Sequence, residues 1–273
     1  MSDSLSAALH QPPVAKEEHT ILPDLSQTIS AFIQDRLPEQ NHPLAKAASH
    51  HFKEPGKQIR ARLALTAGDC MEIARSTSLP WAVAVEMLHN ASLVHDDICD
   101  GDTIRRGRPS VWSQFGRDAA LALGDWLIGL SFELAAEAGV KGQTPQLVSV
   151  LSRHMQQTIS GQALELTVET YPDWERYRDI SIGKTAPLFI APVEGVAELA
   201  GRYDVITPIT RFFTAAGGCY QIANDMLNVT GTDGAESPAS DMLRRAPNAV
   251  IVMFRNTLSG AQAEAFDSWL ASS

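Results

Sequence analysis

The sequence predicts an all-α protein, a helical bundle around a central apolar cavity. Apolar residues recur at helical spacing along most of the chain, and strand-like alternation is scarce. Gly and Pro mark the breaks between the periodic stretches. Two of those stretches each lead into polar residues in a one-two-five pattern, Asp96-Asp97-x-x-Asp100 and Asn224-Asp225-x-x-Asn228. Two antiparallel helices that present such ends can face each other across a cavity.

Taken in order, the periodicity predicts helices over Leu22–Leu37, Gln58–Arg75, Pro80–Asp97, Ala119–Glu137, Gln146–Val168, Tyr177–Ala200, Thr207–Val229, Asp241–Leu258 and Gln262–Ala271. Pro80 suits a first helical turn, Gly139-Val140-Lys141-Gly142 separates one pair, and Tyr171-Pro172-Asp173 separates another. The Gly-, Ser- and Thr-rich stretch Thr230–Ser240 reads as a loop, because apolar patterning resumes beyond it. Residues 1–20 read as a flexible N-terminal tail and residues 21–273 as a single helical domain, with enough apolar content for one continuous core.

The 22 basic and 32 acidic residues give a formal charge of -10, which argues against a general nucleic-acid or anionic-membrane surface. An anionic substrate therefore needs locally placed cations. Cys70, Cys99 and Cys219 are far apart and form no metal-ligand grouping, the pattern of a reduced cytoplasmic protein with buried or partly buried thiols. Met1 to Glu18 lacks the basic end and apolar run of a signal peptide, and no uninterrupted apolar run is long enough to suggest a membrane span.

The most informative segment runs from His95 to Pro109. It sets Asp96, Asp97, Asp100 and Asp102 just upstream of Arg105 and Arg106. Carboxylate oxygens are hard ligands suited to Mg²⁺, and paired arginines suit diphosphate oxygens. Residues four apart share a helix face, so Asp96 and Asp100 can grip one ion cluster while Asp97 projects to the side. The plain alternative is a solvated acidic helix end. Acids at a helix C-terminus oppose the macrodipole, however, and a cation would compensate.

Four further motifs accompany this run. Pro55-Gly56-Lys57-Gln58-Ile59-Arg60 places Lys57 and Arg60 one turn apart at a Gly-containing helix start, an anion cup. His89 lies two turns before Asp96 on the same face. Gln162 sits within Ser160–Leu166, and Lys184-Thr185 follows later. Gln221-Ile222-Ala223-Asn224-Asp225-Met226-Leu227-Asn228 closes the set.

In this order the motifs resemble those of the trans-type isoprenyl diphosphate synthases, class I all-α prenyltransferases, from about Leu22 to Leu258. The resemblance implies Mg²⁺ as cofactor, held by Asp96 and Asp100 with Asp97 supporting them and Asn224 as a ligand from the second motif. It implies an allylic diphosphate contacted by Arg105 and Lys184, and isopentenyl diphosphate held by Lys57, Arg60, His89 and Arg106. Gln162, Thr185 and Gln221 complete the implied site. Family members usually form dimers, so a homodimer is expected, with a heteromer as the alternative.

The chain departs from the family at its second aspartate-rich motif, where Asn224 and Asn228 replace two carboxylates. Two downstream cations are replaced as well, at Glu236-Ser237-Pro238 and Arg245-Ala246, with Arg244 or Arg245 able to stand in for one. A neutral amide contributes less than a carboxylate to holding Mg²⁺, so a weaker third metal site is expected. Two other readings stay open: a terpene cyclase-like lyase, suggested by Asn224 and Asn228 but lacking an acid at Thr232, and a non-catalytic or regulatory subunit. In the family the growing tail runs beside the helix that carries the first motif, so the resemblance implies that the small Ala91 and Ser92, with Leu88 one turn further down, give a deep cavity and products of C20 or longer.

Overall fold

The computed structural model describes residues 24–167, 171–231 and 239–271. Helices dominate them, and one two-stranded hairpin is present. The expected tail, Thr232 and Glu236–Pro238 lie outside the described residues.

The bundle is built on α4 (Arg75–Asp100) and α6 (Arg117–Lys141), which pack along most of their lengths. Around that pair lie α3 (Ile59–Cys70), α7 (Leu147–Leu166) and α9 (Pro187–Leu199), while α1 (Leu25–Arg36), α2 (Ala45–His51) and α5 (Val111–Phe115) close one side. The other side carries α8 (Trp174–Thr185), α10 (Ile206–Thr230), α11 (Ser240–Arg244), α12 (Ala249–Arg255) and α13 (Ala261–Ala271).

The core follows from side-chain size. α4 buries Trp81, Val83, Val85, Met87 and Leu88, and α6 answers with Leu123, Leu127 and Leu134. Each large apolar side chain so buried contributes about 1.5–3 kcal/mol before entropy is counted. Trp81 also donates its indole N–H to the Pro192 carbonyl at 3.0 Å. Its ring lies where a Cβ on Gly195 would be, so α4 and α9 approach closely only because residue 195 is glycine. α6 is long and apolar enough to cross a membrane; in this bundle it packs against α4.

Several expectations are corrected. The helix expected over Tyr177–Ala200 is two helices, because Pro187 has no amide proton to continue α8 and instead occupies the first turn of α9. The helix expected over Asp241–Leu258 also divides, at a left-handed Arg245 (φ 57°) ahead of Pro247. α4 begins at Arg75, so Pro80 lies within it, and α6 runs on through Val140 to a cap at Gly142. All three cysteines are exposed, where buried or partly buried thiols were expected. The short α2 and α5 have too few turns to show a period, and the hairpin Ile104–Arg105/Arg108–Pro109 has too few residues to alternate.

Candidate active site

The acidic run ends α4, with Asp100 as its last residue and a left-handed Gly101 after it. α4 has no basic residue in its last turn. The chain then turns back as a hairpin: β1 (Ile104–Arg105) pairs with β2 (Arg108–Pro109) around Arg106 (φ 54°) and Gly107 (φ 72°). Two positive φ values in a two-residue loop match the right-handed twist of paired strands. That turn folds Arg105 back under the end of α4 and carries Arg106 to the loop before α3.

The carboxylates then separate by function. Asp97 is buried, with Oδ1 accepting a hydrogen bond from Arg105 Nε at 2.8 Å and a second from the same guanidinium, while Oδ2 has no partner. The carboxylates of Asp96 and Asp100 have no hydrogen bond or ion pair among the described residues. Burial raises both pKa values; the Asp96 carboxyl, opposed by Lys184 but reinforced by Asp100, is pushed up to about 6. These two carboxylates, left without a partner among the described residues, fit Mg²⁺; Asp97, taken up by Arg105, does not. Among the described residues no three His, Cys, Asp or Glu side chains converge on a metal site, so other oxygens must complete the shell.

Lys184 reaches this pole from α8. α7 and α8 cross where Gly161 meets Gly183, so closely that a Cβ on Gly161 would lie 2.3 Å from the Gly183 carbonyl carbon. The contact brings Glu165 and Lys184 together as an ion pair. Burial works against the lysine's charge, yet Glu165, Asp96 and Asp100 raise its pKa. Glu165 carried no separate signal in the sequence. Gln162, beside Gly161, is half-buried.

A second, cationic pole lies beneath. Arg60 on α3 is buried over the Phe189 ring, 4.7 Å from its centroid, with Nε unpartnered. Burial lowers its pKa, and Glu86 opposes the shift. Arg106 donates to the Glu54 carbonyl at 2.6 Å. Its guanidinium fills the space above Gly56, where a Cβ would come within 2.7 Å of Cζ. Desolvation holds His89 well below its ordinary pKa and His51 at about 4, with Arg105 and Arg106 adding to both, so the two rings are neutral donors or acceptors. A small pocket beside them is lined by His50, His51, Glu54, Arg105, Arg106 and Arg108. Lys57 is exposed at its edge of the fold, one residue before the left-handed Gln58 that starts α3.

The second motif is largely turned into the scaffold. Asp225 is buried, accepting from the Tyr177 hydroxyl at 2.5 Å, the Ala249 amide at 2.7 Å and Gln221 Nε2 at 2.8 Å. Gln221 also accepts from the Thr185 hydroxyl at 3.3 Å. Gln221 and Thr185, expected to complete the site, thereby link α8, α10 and, through Asp225, α12. Asn228 is likewise engaged, donating to Ser240 Oγ at 2.8 Å and accepting from the Asp241 amide at 3.2 Å. Asn224 is half-buried on α10. Its amide oxygen is the second motif's remaining candidate ligand.

Of the chain-length positions, Leu88 and Ala91 are buried in the core, and Ser92 is half-buried on the face shared with His89 and Asp96, its hydroxyl on the His89 carbonyl at 2.8 Å. Two cavities of about 760 and 700 Å³ open elsewhere, one at Glu165 and the C-terminal helices, one between α7 and α10.

The fold is an all-α bundle with two carboxylates unpaired among the described residues at one pole and the cations Arg60 and Arg106 at the other, a donor set whose chemistry suits a hard metal ion and diphosphate oxygens. The sequence matches the polyprenyl synthetase family over residues 41–273. It is 33% identical over 226 residues to a geranylgeranyl diphosphate synthase of Saccharolobus solfataricus, covering 80% of this chain and 67% of that protein. It is 28% identical to an all-trans-nonaprenyl-diphosphate synthase (geranyl-diphosphate specific) of Rhodobacter capsulatus, covering 89% and 76%. In fold it resembles a geranyltransferase of Helicobacter pylori complexed with magnesium and isoprenyl diphosphate, at a TM-score of 0.73 and 24% identity, covering 90% and 86%. The chain belongs to the polyprenyl synthetase family, the isoprenyl diphosphate synthases, and is a prenyltransferase with that family's all-α fold.

Proposed function

We propose that this prenyltransferase condenses isopentenyl diphosphate with an allylic diphosphate in a Mg²⁺-dependent reaction, giving a trans-polyprenyl diphosphate of C20 or longer. The observation that carries the reading is the division of the site: two uncommitted carboxylates, Asp96 and Asp100, stand at one pole and the buried Arg60 and half-buried Arg106 at the other. One diphosphate needs metal to approach the first pole; the other meets arginines directly.

Bound by Asp96, Asp100 and Asn224, Mg²⁺ would supply charge stabilisation to the leaving diphosphate. Lys184, held between Glu165 and the aspartates, aligns the allylic diphosphate while its C–O bond breaks and the electron pair leaves with oxygen. Arg60 and Arg106, with the neutral His89 and exposed Lys57, fix the isopentenyl diphosphate so that its alkene attacks the allylic carbon. A proton then leaves to the departing diphosphate. Asp97 acts through Arg105, which it holds beneath the first pole. The apolar core around Leu88 and Ala91 keeps water from the cationic intermediate.

The relatives' names include both a geranylgeranyl and a nonaprenyl diphosphate synthase, which supports elongation and leaves length to Ala91 and Ser92. The engagement of Asn228 with α11 removes one of the two amides on which a cyclase-like site would draw. We place the enzyme in the cytoplasm as a homodimer. Purified protein with Mg²⁺, isopentenyl diphosphate and each of dimethylallyl, geranyl and farnesyl diphosphate tests the reaction. Elongated diphosphates support it. A hydrocarbon or alcohol from one allylic diphosphate alone, or no product at all, overturns it.

A further inference from the structure

Arg244, the last residue of α11, reaches across the cleft to the end of α4. Its NH1 donates to the Asp100 carbonyl at 3.0 Å and to Asp102 Oδ1 at 2.7 Å, and its NH2 donates to Asp241 Oδ1 at 3.0 Å. The Asp100 carbonyl belongs to the last turn of α4, whose terminal carbonyls lack intrahelical partners. Since α4 has no basic residue in that turn, Arg244 supplies from another element the cation its dipole and its carboxylates call for.

α11 is itself tied to the second motif. Asn228 accepts from the Asp241 amide and donates to Ser240, one turn beyond Asn224. A continuous path therefore runs from α10 through Asn228, α11 and Arg244 to Asp100 and Asp102. Its two ends are the helices that carry the candidate metal ligands. A guanidinium can satisfy a carbonyl and two carboxylates at once, because its donors are fixed in a planar fork; an ammonium lacks that fork.

We propose that Arg244 is a positioning residue, a clasp between α11 and the end of α4 that sets Asp100 relative to Asn224 and so tunes Mg²⁺–diphosphate binding. This rests on the functional reading above and gives Arg244 a role between the two helices, distinct from standing in for a substrate-contacting cation. Burial opposes the arginine's charge, while Asp102, Asp100 and Asp241 hold its pKa above the usual value, so the clasp stays charged at any ordinary pH.

The test uses the full chain with Mg²⁺ and inorganic diphosphate, read by calorimetry, together with hydrogen exchange of the amides of residues 239–246. Arg244→Ala and Asp102→Asn should each speed exchange there and raise the Mg²⁺ concentration for half-maximal diphosphate binding by about tenfold, the scale of a lost charge-assisted hydrogen bond. The double variant should be no worse than either single one, and Arg244→Lys should recover part of the loss. If Arg244→Ala does not fold, Arg244→Lys and Asp102→Asn still read the same pair. Unchanged exchange and unchanged Mg²⁺ demand, or losses that simply add, overturn the clasp. A wild-type protein that elongates nothing yet shows these shifts would sink the functional reading and leave the clasp standing.

Discussion

Arg105 holds Asp97, with its Nε 2.8 Å from Asp97 Oδ1 beneath the end of α4. The middle carboxylate of the acidic run is thereby paired within the protein, while its neighbours Asp96 and Asp100 have no such partner among the described residues, the arrangement that the proposed metal site requires. Asp96→Ala and Asp100→Ala should each cut turnover by more than the roughly 10–100-fold expected for losing an outer-shell partner of a metal. Asp97→Asn should instead lower stability, by about 1–2 kcal/mol for the weakened pair, with a smaller rise in Mg²⁺ demand. Steady-state rates against Mg²⁺ concentration, beside thermal melts, separate the two; near-normal turnover in Asp96→Ala would remove the metal assignment.

Acid should weaken metal binding before it unfolds the protein. Burial, with Asp100 and Asp97 nearby, raises the Asp96 pKa to about 6 against the pull of Lys184 and Arg105. A raised carboxyl pKa means the folded, metal-free protein takes up a proton more readily than the unfolded chain. Its ionisation thus costs stability as pH rises from the unfolded value through 6. Mg²⁺ needs the ionised form, so its affinity should fall about tenfold per pH unit below roughly 6 and level off above it. Calorimetry with inorganic diphosphate from about pH 5 to 8 checks this, and a flat profile would mean Asp96 stays ionised throughout.

Asn224→Asp should lower the Mg²⁺ concentration needed for half-maximal activity by about three- to tenfold, since a charged oxygen replaces a neutral one at the same position. Asn228→Asp should not, because that side chain is spent on Ser240 and the Asp241 amide. Metal titrations of both variants distinguish a ligand from a latch. Equal behaviour in the two would mean that Asn224 faces no ion.

Product length should shorten towards C15 when an aromatic ring is placed on the Asp96 face of α4. Ser92→Phe is the cleaner substitution, because Ser92 is half-buried, whereas Ala91 is only 1% exposed and a ring there risks about 1–3 kcal/mol of overpacking. Both variants should be assayed with a melting curve. An active, stable Ser92→Phe enzyme with unchanged products would place the growing chain along some other face.

Gly161→Ala should be costly far beyond its size. The added Cβ would lie 2.3 Å from the Gly183 carbonyl carbon and 2.4 Å from the Lys184 nitrogen, both backbone atoms that cannot move aside alone. Separating α7 from α8 should lower stability by about 1–3 kcal/mol and loosen the Glu165–Lys184 pair, so the Michaelis constant for the allylic diphosphate should rise. Gly129→Ala on α6 meets nothing within 4 Å and should gain up to about 1 kcal/mol. Similar melts for the two would show that the helix crossing is not tight.

The sequence by itself determined the fold class and the ends of most long helices, since helical periodicity and the Gly and Pro breaks are local signals: α1, α7, α10 and α13 fall within a few residues of expectation. The spacing of Asp96 and Asp100 ahead of Arg105 and Arg106 also stands out along the chain, whereas Lys184 is marked only by the resemblance to the family. What the sequence left open was how charges pair across distance. That Asp97 belongs to Arg105, Lys184 to Glu165, Asp225 to Tyr177 and Arg244 to Asp102 follows from helix crossings and a type I′ hairpin that bring together residues 8 to 142 positions apart. Carboxylates of the same type are equivalent in a sequence. Only the tertiary structure, by burying some beside a donor and leaving others without one, decides which of them a metal can reach.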